Sequence, residues 1–462
     1  MRRTIGTLGA TVATLVVALT GVVVAPAANG TTRYTSTVQS VVPGVTLTRT
    51  RDATGPVQIR SLKVDPASPV TVDTTLARGI FPGWARTSQM AAANGAVAAV
   101  NGDFGVENGR PLHGFANDGT LDETGIDPGD NFAISQNEQR TYFGPPTQTL
   151  MMTTPTTSFP IDHWNAGAPM WGEISGFSTV GGTVEHPPSD ACSARLMPLG
   201  VPSWSGKTRS SIVRSYTVNQ VLCSHAAVPL NGGVVISSRD GGAAAPKIRN
   251  LVVGSTVSVA WSFGWPDVMD SIGGRPMLLQ AGQLVAPTGC GYLCERQPRT
   301  GVGITADGKL LIVTVDGRQP GWSVGYTLVQ FANEMRREGA VTALNLDGGG
   351  STTMIVKGVK VNRPTDPSGE RYVTSALLVL PGKDPGEPLY TTTHAPYQPA
   401  DASAPHLRVS EAAAKASWRA AKSDPGSTGG LLDAISSGAL GGSSKLPPKL
   451  EHVAASFSAA QG

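Results

Sequence analysis

Asn345-Leu346-Asp347-Gly348-Gly349-Gly350-Ser351-Thr352-Thr353 lies between two apolar runs, 340–346 and 354–356. Each glycine loses more backbone freedom on folding than any other residue, so three in a row mark a place where φ is positive or something approaches the chain closely. The stretch reads as a tight turn with a carboxylate at its start, bare amides at its apex and hydroxyls at its exit. Successive amides of this kind form a nest for an anionic oxygen. A plain hairpin turn is the competing reading of Asp-Gly-Gly taken by itself.

Working outward, two other apolar strands end in similar cargo. Residues 96–100 run into Asn101-Gly102-Asp103-Phe104, and residues 309–315 run into Asp316-Gly317-Arg318. Each end sets a carboxylate beside a glycine. Arg275 follows Gly273-Gly274, and Arg299-Thr300 precedes Gly301-Val302-Gly303. If these ends share one rim, acids and arginines converge. Arginine binds phosphate bidentately, and acids beside a sugar supply general acid, base or nucleophile. The set suits an anionic sugar. A lone His113 in Pro111-Leu112-His113-Gly114 is more often structural than catalytic.

The rest of the chain frames this rim. Alternation predicts strands near 57–60 and 70–72, and 374–380 reads as a buried strand. A short helix is expected over 87–95. The clearest helix is expected over 327–338, capped by Thr327, with Leu328, Phe331, Ala332 and Met335 on one face and Gly339 as its stop. The stretch 122–271 mixes short β-like runs with Pro, Gly and Ser and leaves room for an inserted subdomain at about 151–266. From 381 to 462 the composition is low in large apolar residues and reads as a disordered tail. The fold class expected is α+β: mixed, mainly antiparallel sheets with a few packed helices over residues 31–380.

The 462 residues carry a formal charge of +3, two units of which come from Arg2 and Arg3. So near-neutral a chain argues against nucleic acid or an anionic membrane as main partner. Residues 1–27 have the basic, apolar and Ala-x-Ala layout of a secretory signal peptide, with an uncleaved anchor as the alternative. Secretion is therefore expected, with no membrane span after cleavage. Four cysteines fit export; of three pairings, Cys192–Cys223 and Cys290–Cys294 are favoured over a zinc site, because an oxidising compartment favours disulfides.

At Gly273-Gly274-Arg275-Pro276, Pro298-Arg299-Thr300-Gly301-Val302-Gly303, Val315-Asp316-Gly317-Arg318 and Ala343 to Thr353, taken in order, the chain resembles the phosphodiester glycosidases. Asn101-Gly102-Asp103-Phe104 resembles that family's early block. Gln297 stands where the family often has histidine, and Gly301 where it often has alanine. The resemblance implies hydrolysis of a sugar–phosphate diester at the anomeric carbon, releasing sugar and a phosphomonoester. It implies Asp347 as nucleophile or general base, with Asp103 or Asp316 as partner. Arg275, Arg299 and Arg318 would hold phosphate, helped by the Gly348, Gly349 and Gly350 amides and by Ser351 or Thr352. Asn101, Thr300 and Asn345 complete the substrate set. No cofactor is required, although three converging acids leave room for a divalent metal; no EF-hand-type loop is present.

Three rivals are weighed. Gly321-Trp322-Ser323-Val324-Gly325 spells G-x-S-x-G, but no strand runs directly into it as a nucleophile elbow requires. A P-loop is excluded because Lys-Ser/Thr does not follow the glycines. A non-catalytic module binding extracellular sugar phosphates or wall glycans stands as the alternative function.

Overall fold

The structure, a computed structural model, describes residues 33–382 except 107–108, 136–137, 139, 184–186 and 224–225. The expected signal peptide and nearly all of the expected tail lie outside the described residues. No described helix is long and apolar enough to cross a membrane.

Among the described residues there are 28 strands and three α-helices, of seven, five and ten residues. This corrects the α+β expectation: the fold is mostly β, and the described residues form no helical layer. The reason lies in the sequence. Among the described residues only one helix, Leu328–Arg337, runs for more than two turns. The segment without a clear period, Thr149 to Ser262, supplies all the strands of an antiparallel-dominated eight-stranded sheet.

Two sheets face each other across the main core. One has eight strands and includes Val57–Val64, Leu310–Val315, Arg299–Thr305 and Ala340–Asn345 as neighbours in that order. The other has five and includes Met354–Val356, Ala98–Asn101, Ser375–Pro381 and Val70–Leu76 in order. Strand side chains alternate between faces, and the cores obey this. Leu310 and Ile312 enter the shared core with Val100 and Leu377, while Leu311 and Val313 point the other way against Phe331 and Met335. The strand is therefore buried at every position because both faces are covered.

The helix Leu328–Arg337 provides that cover. Thr327 accepts from the Gln330 amide at 3.2 Å while the Gln330 side chain accepts from the Thr327 amide at 3.0 Å, a closed capping box. Leu328, Phe331, Ala332 and Met335 are all buried, each large one contributing roughly 1.5–3 kcal/mol. A third sheet, carrying His113–Asn117, Asp130–Ser135 and Val268–Gly274, gives Phe115, Phe132 and Ile272 to the main core. Its other face gives Ala116, Ala133 and Met269 to the core under the Thr149–Ser262 sheet.

The cysteines pair as expected. Cys192 and Cys223 are register partners on adjacent strands, and Cys290 and Cys294 close a short loop; both sulfur pairs are at bonding distance.

Candidate active site at the glycine crossover

The chain leaves one facing sheet at Asn345 and joins the other at Met354. The glycine run is this crossover. Its amides explain its path: Leu346 N–H donates to Thr300 O at 2.9 Å, Asp347 N–H to Gly102 O at 3.1 Å and Gly349 N–H to Pro298 O at 3.0 Å. Two strand ends, the start of Arg299–Thr305 and the end of Ala98–Asn101, therefore hold it. Gly349 sits at φ +60, a left-handed conformation that glycine adopts without steric cost.

Asn101 is the hub. Its Nδ2 donates to Asp347 O at 2.7 Å, and its Oδ1 accepts from Thr300 Oγ1 at 2.8 Å and Thr353 N–H at 3.1 Å. Asn345 Nδ2 donates to Arg275 O at 2.7 Å and Leu346 O at 2.8 Å. The Asp347 carboxylate receives the Gly348 amide at 2.8 Å and is buried. Asn345 Oδ1 and the hydroxyls of Ser351, Thr352 and Thr353 are buried with no hydrogen-bond partner among the described residues. A buried acceptor or hydroxyl left so costs about 1–3 kcal/mol, which a polar ligand at the turn would offset.

The arginines separate into distinct surroundings. Arg318 lies over the turn: an atom of its guanidinium is 3.0 Å from where a Cβ on Gly349 would stand. It is held by Gln297 Oε1, which accepts from Nε at 2.5 Å, and by the Tyr292 hydroxyl. Gln297, the departure from the family pattern, thus orients this arginine. Arg371 also lies on the turn, its guanidinium filling the space of a Cβ on Gly350, with Nε on Asp366 Oδ2 at 2.9 Å. Arg275 pairs with Asp127 at 2.5 Å and lies over the Phe104 ring. Arg299 is 2% exposed and donates to the carbonyls of Tyr326 at 3.0 Å, Leu293 at 2.7 Å and Glu295 at 2.5 Å. Burial, then the neighbouring Arg318 charge, pushes its pKa down to about 9, so it remains a cation at neutral pH. Its donors face the Cys290–Cys294 loop.

The other two acids are anchored. Asp103 accepts from the His113 amide at 2.8 Å and the Phe104 amide at 2.7 Å, and its Oδ1 lies 2.7 Å from His113 Nδ1. The imidazole is buried, and its Nε2 has no hydrogen-bond partner among the described residues. Asp316 accepts from Arg363 N–H at 2.9 Å, Asn362 Nδ2 at 3.2 Å and Trp322 Nε1 at 3.2 Å. Burial raises its pKa against these donors. Asn362 also donates to Thr352 O at 3.0 Å, tying Asp316 to the exit of the turn. Ser323 donates to Asp316 O at 2.5 Å and accepts from Gln58 N–H at 3.0 Å, fully buried, as a structural hydroxyl.

The crossover therefore gathers Asp347, Asn101, Thr300, Asn345, Arg318 and the Gly348–Thr353 turn. Sequence reasoning did not find Arg371, Asn362 or the orienting role of Gln297. Elsewhere, Asp73, Asp118 and Asp270 bring one carboxylate oxygen each within 4.8 Å of one another. A separate cavity of about 170 Å³, lined by Leu121, Trp164, Tyr216 and Trp261 among others, shares no lining residue with the turn.

A family model described as phosphodiester glycosidase matches residues 209–380. The SPbeta prophage-derived uncharacterized protein YomE of Bacillus subtilis is 35% identical over 89 residues, 19% of this chain and 14% of that protein. Mouse N-acetylglucosamine-1-phosphodiester alpha-N-acetylglucosaminidase is 37% identical over 68 residues, 15% of this chain and 13% of that enzyme. The chain thus aligns with well under two thirds of either relative. A crystal structure of a hypothetical protein from Synechocystis has the same fold, with a TM-score of 0.59 at 21% identity, covering 75% of this chain and 63% of that one.

Proposed function

We propose, from the match of residues 209–380 to the phosphodiester glycosidase model, that the chain is a secreted hydrolase of sugar-1-phosphodiesters, releasing free sugar and a phosphomonoester from a surface or extracellular glycan. The observation that carries the reading is the buried Asp347 carboxylate heading a glycine turn against which the Arg318 guanidinium is packed. It joins a group able to act at an anomeric carbon to a cation able to receive phosphate.

A phosphodiester leaves readily, so most of the acceleration would come from holding the phosphate and aligning water. Asp347 acts on the sugar side as nucleophile or general base. Arg318 and the turn amides, with Ser351 and Thr352, take the phosphate. Asp103 works through His113, and Asp316 through Asn362, as partners that fix the rim. Arg299 supports the loop that carries Tyr292, and Arg275 exchanges Asp127 for a substrate oxygen. No cofactor is assigned. The two cysteine pairs support secretion.

The test is a panel of sugar-1-phosphodiesters incubated with the purified chain, with and without EDTA, with both products identified. Release of free sugar and phosphomonoester is expected. Saturable binding of every member without turnover would favour a sugar-phosphate-binding module, and loss of turnover in EDTA would add a metal.

A further inference from the structure

Arg371 lies outside every motif that marks the rim, yet it reaches the same turn as Arg318. A Cβ on Gly349 would stand 3.0 Å from the Arg318 guanidinium, and a Cβ on the next residue, Gly350, would fall within that of Arg371. Consecutive α-carbons are about 3.8 Å apart, so both cations address one small region of the turn. Each is braced from behind, Arg318 by Gln297 and Tyr292, Arg371 by Asp366. The Ser351, Thr352 and Thr353 hydroxyls beside them are buried without partners among the described residues, a second sign that the turn is built to receive a polar group.

We propose that Arg371 is the second arm of a clamp for the departing phosphate, and that it acts on the leaving group more than on the bound diester. The inference rests on the proposed function. Cleavage breaks the bond between the anomeric carbon and the bridging oxygen. The electron pair stays on that oxygen, water supplies hydroxyl to the carbon, and Asp347 takes the water proton on the general-base route. A phosphodiester carries one negative charge, whereas the phosphomonoester product carries nearly two at neutral pH. One guanidinium balances the reactant. The second is matched only as the new charge develops, which is the condition for raising kcat rather than lowering KM.

The test uses the full chain as wild type, Arg371→Gln, Arg371→Lys and Gly350→Ala. Inorganic phosphate binding is measured by calorimetry, diester turnover by product release, and folding by thermal midpoint. Gly350 is not in the left-handed region, so alanine there displaces the guanidinium while keeping its charge. Arg371→Gln is expected to lower both phosphate affinity and kcat by about 100-fold, the scale of a lost transition-state donor, with KM changed less than about threefold. Arg371→Lys and Gly350→Ala are expected to fall between it and wild type. If Arg371→Gln does not fold, Gly350→Ala decides through the same constants. Wild-type phosphate affinity and kcat in folded Arg371→Gln, or in Gly350→Ala where Arg371→Gln does not fold, would overturn the clamp while leaving the proposed function standing. A wild-type chain that neither binds phosphate nor turns over any diester would overturn both.

Discussion

The Asn101 carboxamide donates to the main-chain carbonyl of Asp347, 246 residues away, at 2.7 Å. This bond joins the two facing sheets where the chain crosses between them. The same side chain accepts from Thr300 and Thr353, so one asparagine fixes the position of the candidate catalytic acid. Asn101→Ala would leave these groups unpaired in a buried place, at about 1–3 kcal/mol each. A fall in stability of at least that size, together with loss of activity, is expected from denaturant unfolding and turnover. Unchanged activity would detach Asn101 from the site.

Gly349→Ala meets two costs, left-handed backbone and the Arg318 guanidinium at 3.0 Å. Gly308→Ala meets only the first, at φ +78 with nothing within 4 Å. Both are expected to lose roughly 1–3 kcal/mol from backbone strain. Only Gly349→Ala should also lose turnover. Equal activity in the two variants would show that Arg318 has no task at the turn.

Burial, then the charges of Asp73 and Asp118, holds the Asp270 pKa well above its usual 3.8. The folded state therefore keeps a proton that the unfolded chain releases. This contribution is fully present below about pH 3.8 and is lost as pH rises through the raised folded value. Asp270→Asn keeps an acceptor for Thr74 Oγ1 and the Asp118 amide, which Asp270 Oδ1 serves now. It is expected to raise the melting temperature at neutral pH and flatten its decline with pH. A variant less stable at pH 7 would contradict the assignment.

Much of the site was legible because its chemistry is local. Acid and glycine lie adjacent at the ends of the strands Ala98–Asn101, Leu310–Val315 and Ala340–Asn345, and apolar runs announced those strands. Arg371 and Asn362 were not legible. Each meets the turn through tertiary contact, and neither sits in a motif. Arg299 was expected to face substrate because small residues surround it, but the same small residues let it turn onto the carbonyls of Leu293 and Glu295. The mainly β fold was obscured by the segment around the Ala191–Trp204 and Ile212–Cys223 strands. The first is buried throughout Ala191–Ala194 and exposed at Leu199–Val201, and the second alternates only briefly around Tyr216–Val218, so period alone did not identify them.

The Cys290–Cys294 loop carries the Leu293 carbonyl and leads into that of Glu295, both of which hold Arg299, and Tyr292 within it braces Arg318. Replacing both cysteines by serine is expected to cost about 2 kcal/mol from loop-closure entropy and to reduce turnover through Arg318. Thermal unfolding and kinetics on the double variant check this; wild-type kinetics would show the loop to be structural alone.

The most direct test of the central claim is the rate of a sugar-1-phosphodiester with Asp347→Asn set beside wild type under saturating substrate. The account predicts a variant that folds at the wild-type midpoint and loses at least about 100-fold in rate, the scale of a lost acid–base group. Turnover retained by a folded Asp347→Asn would contradict it.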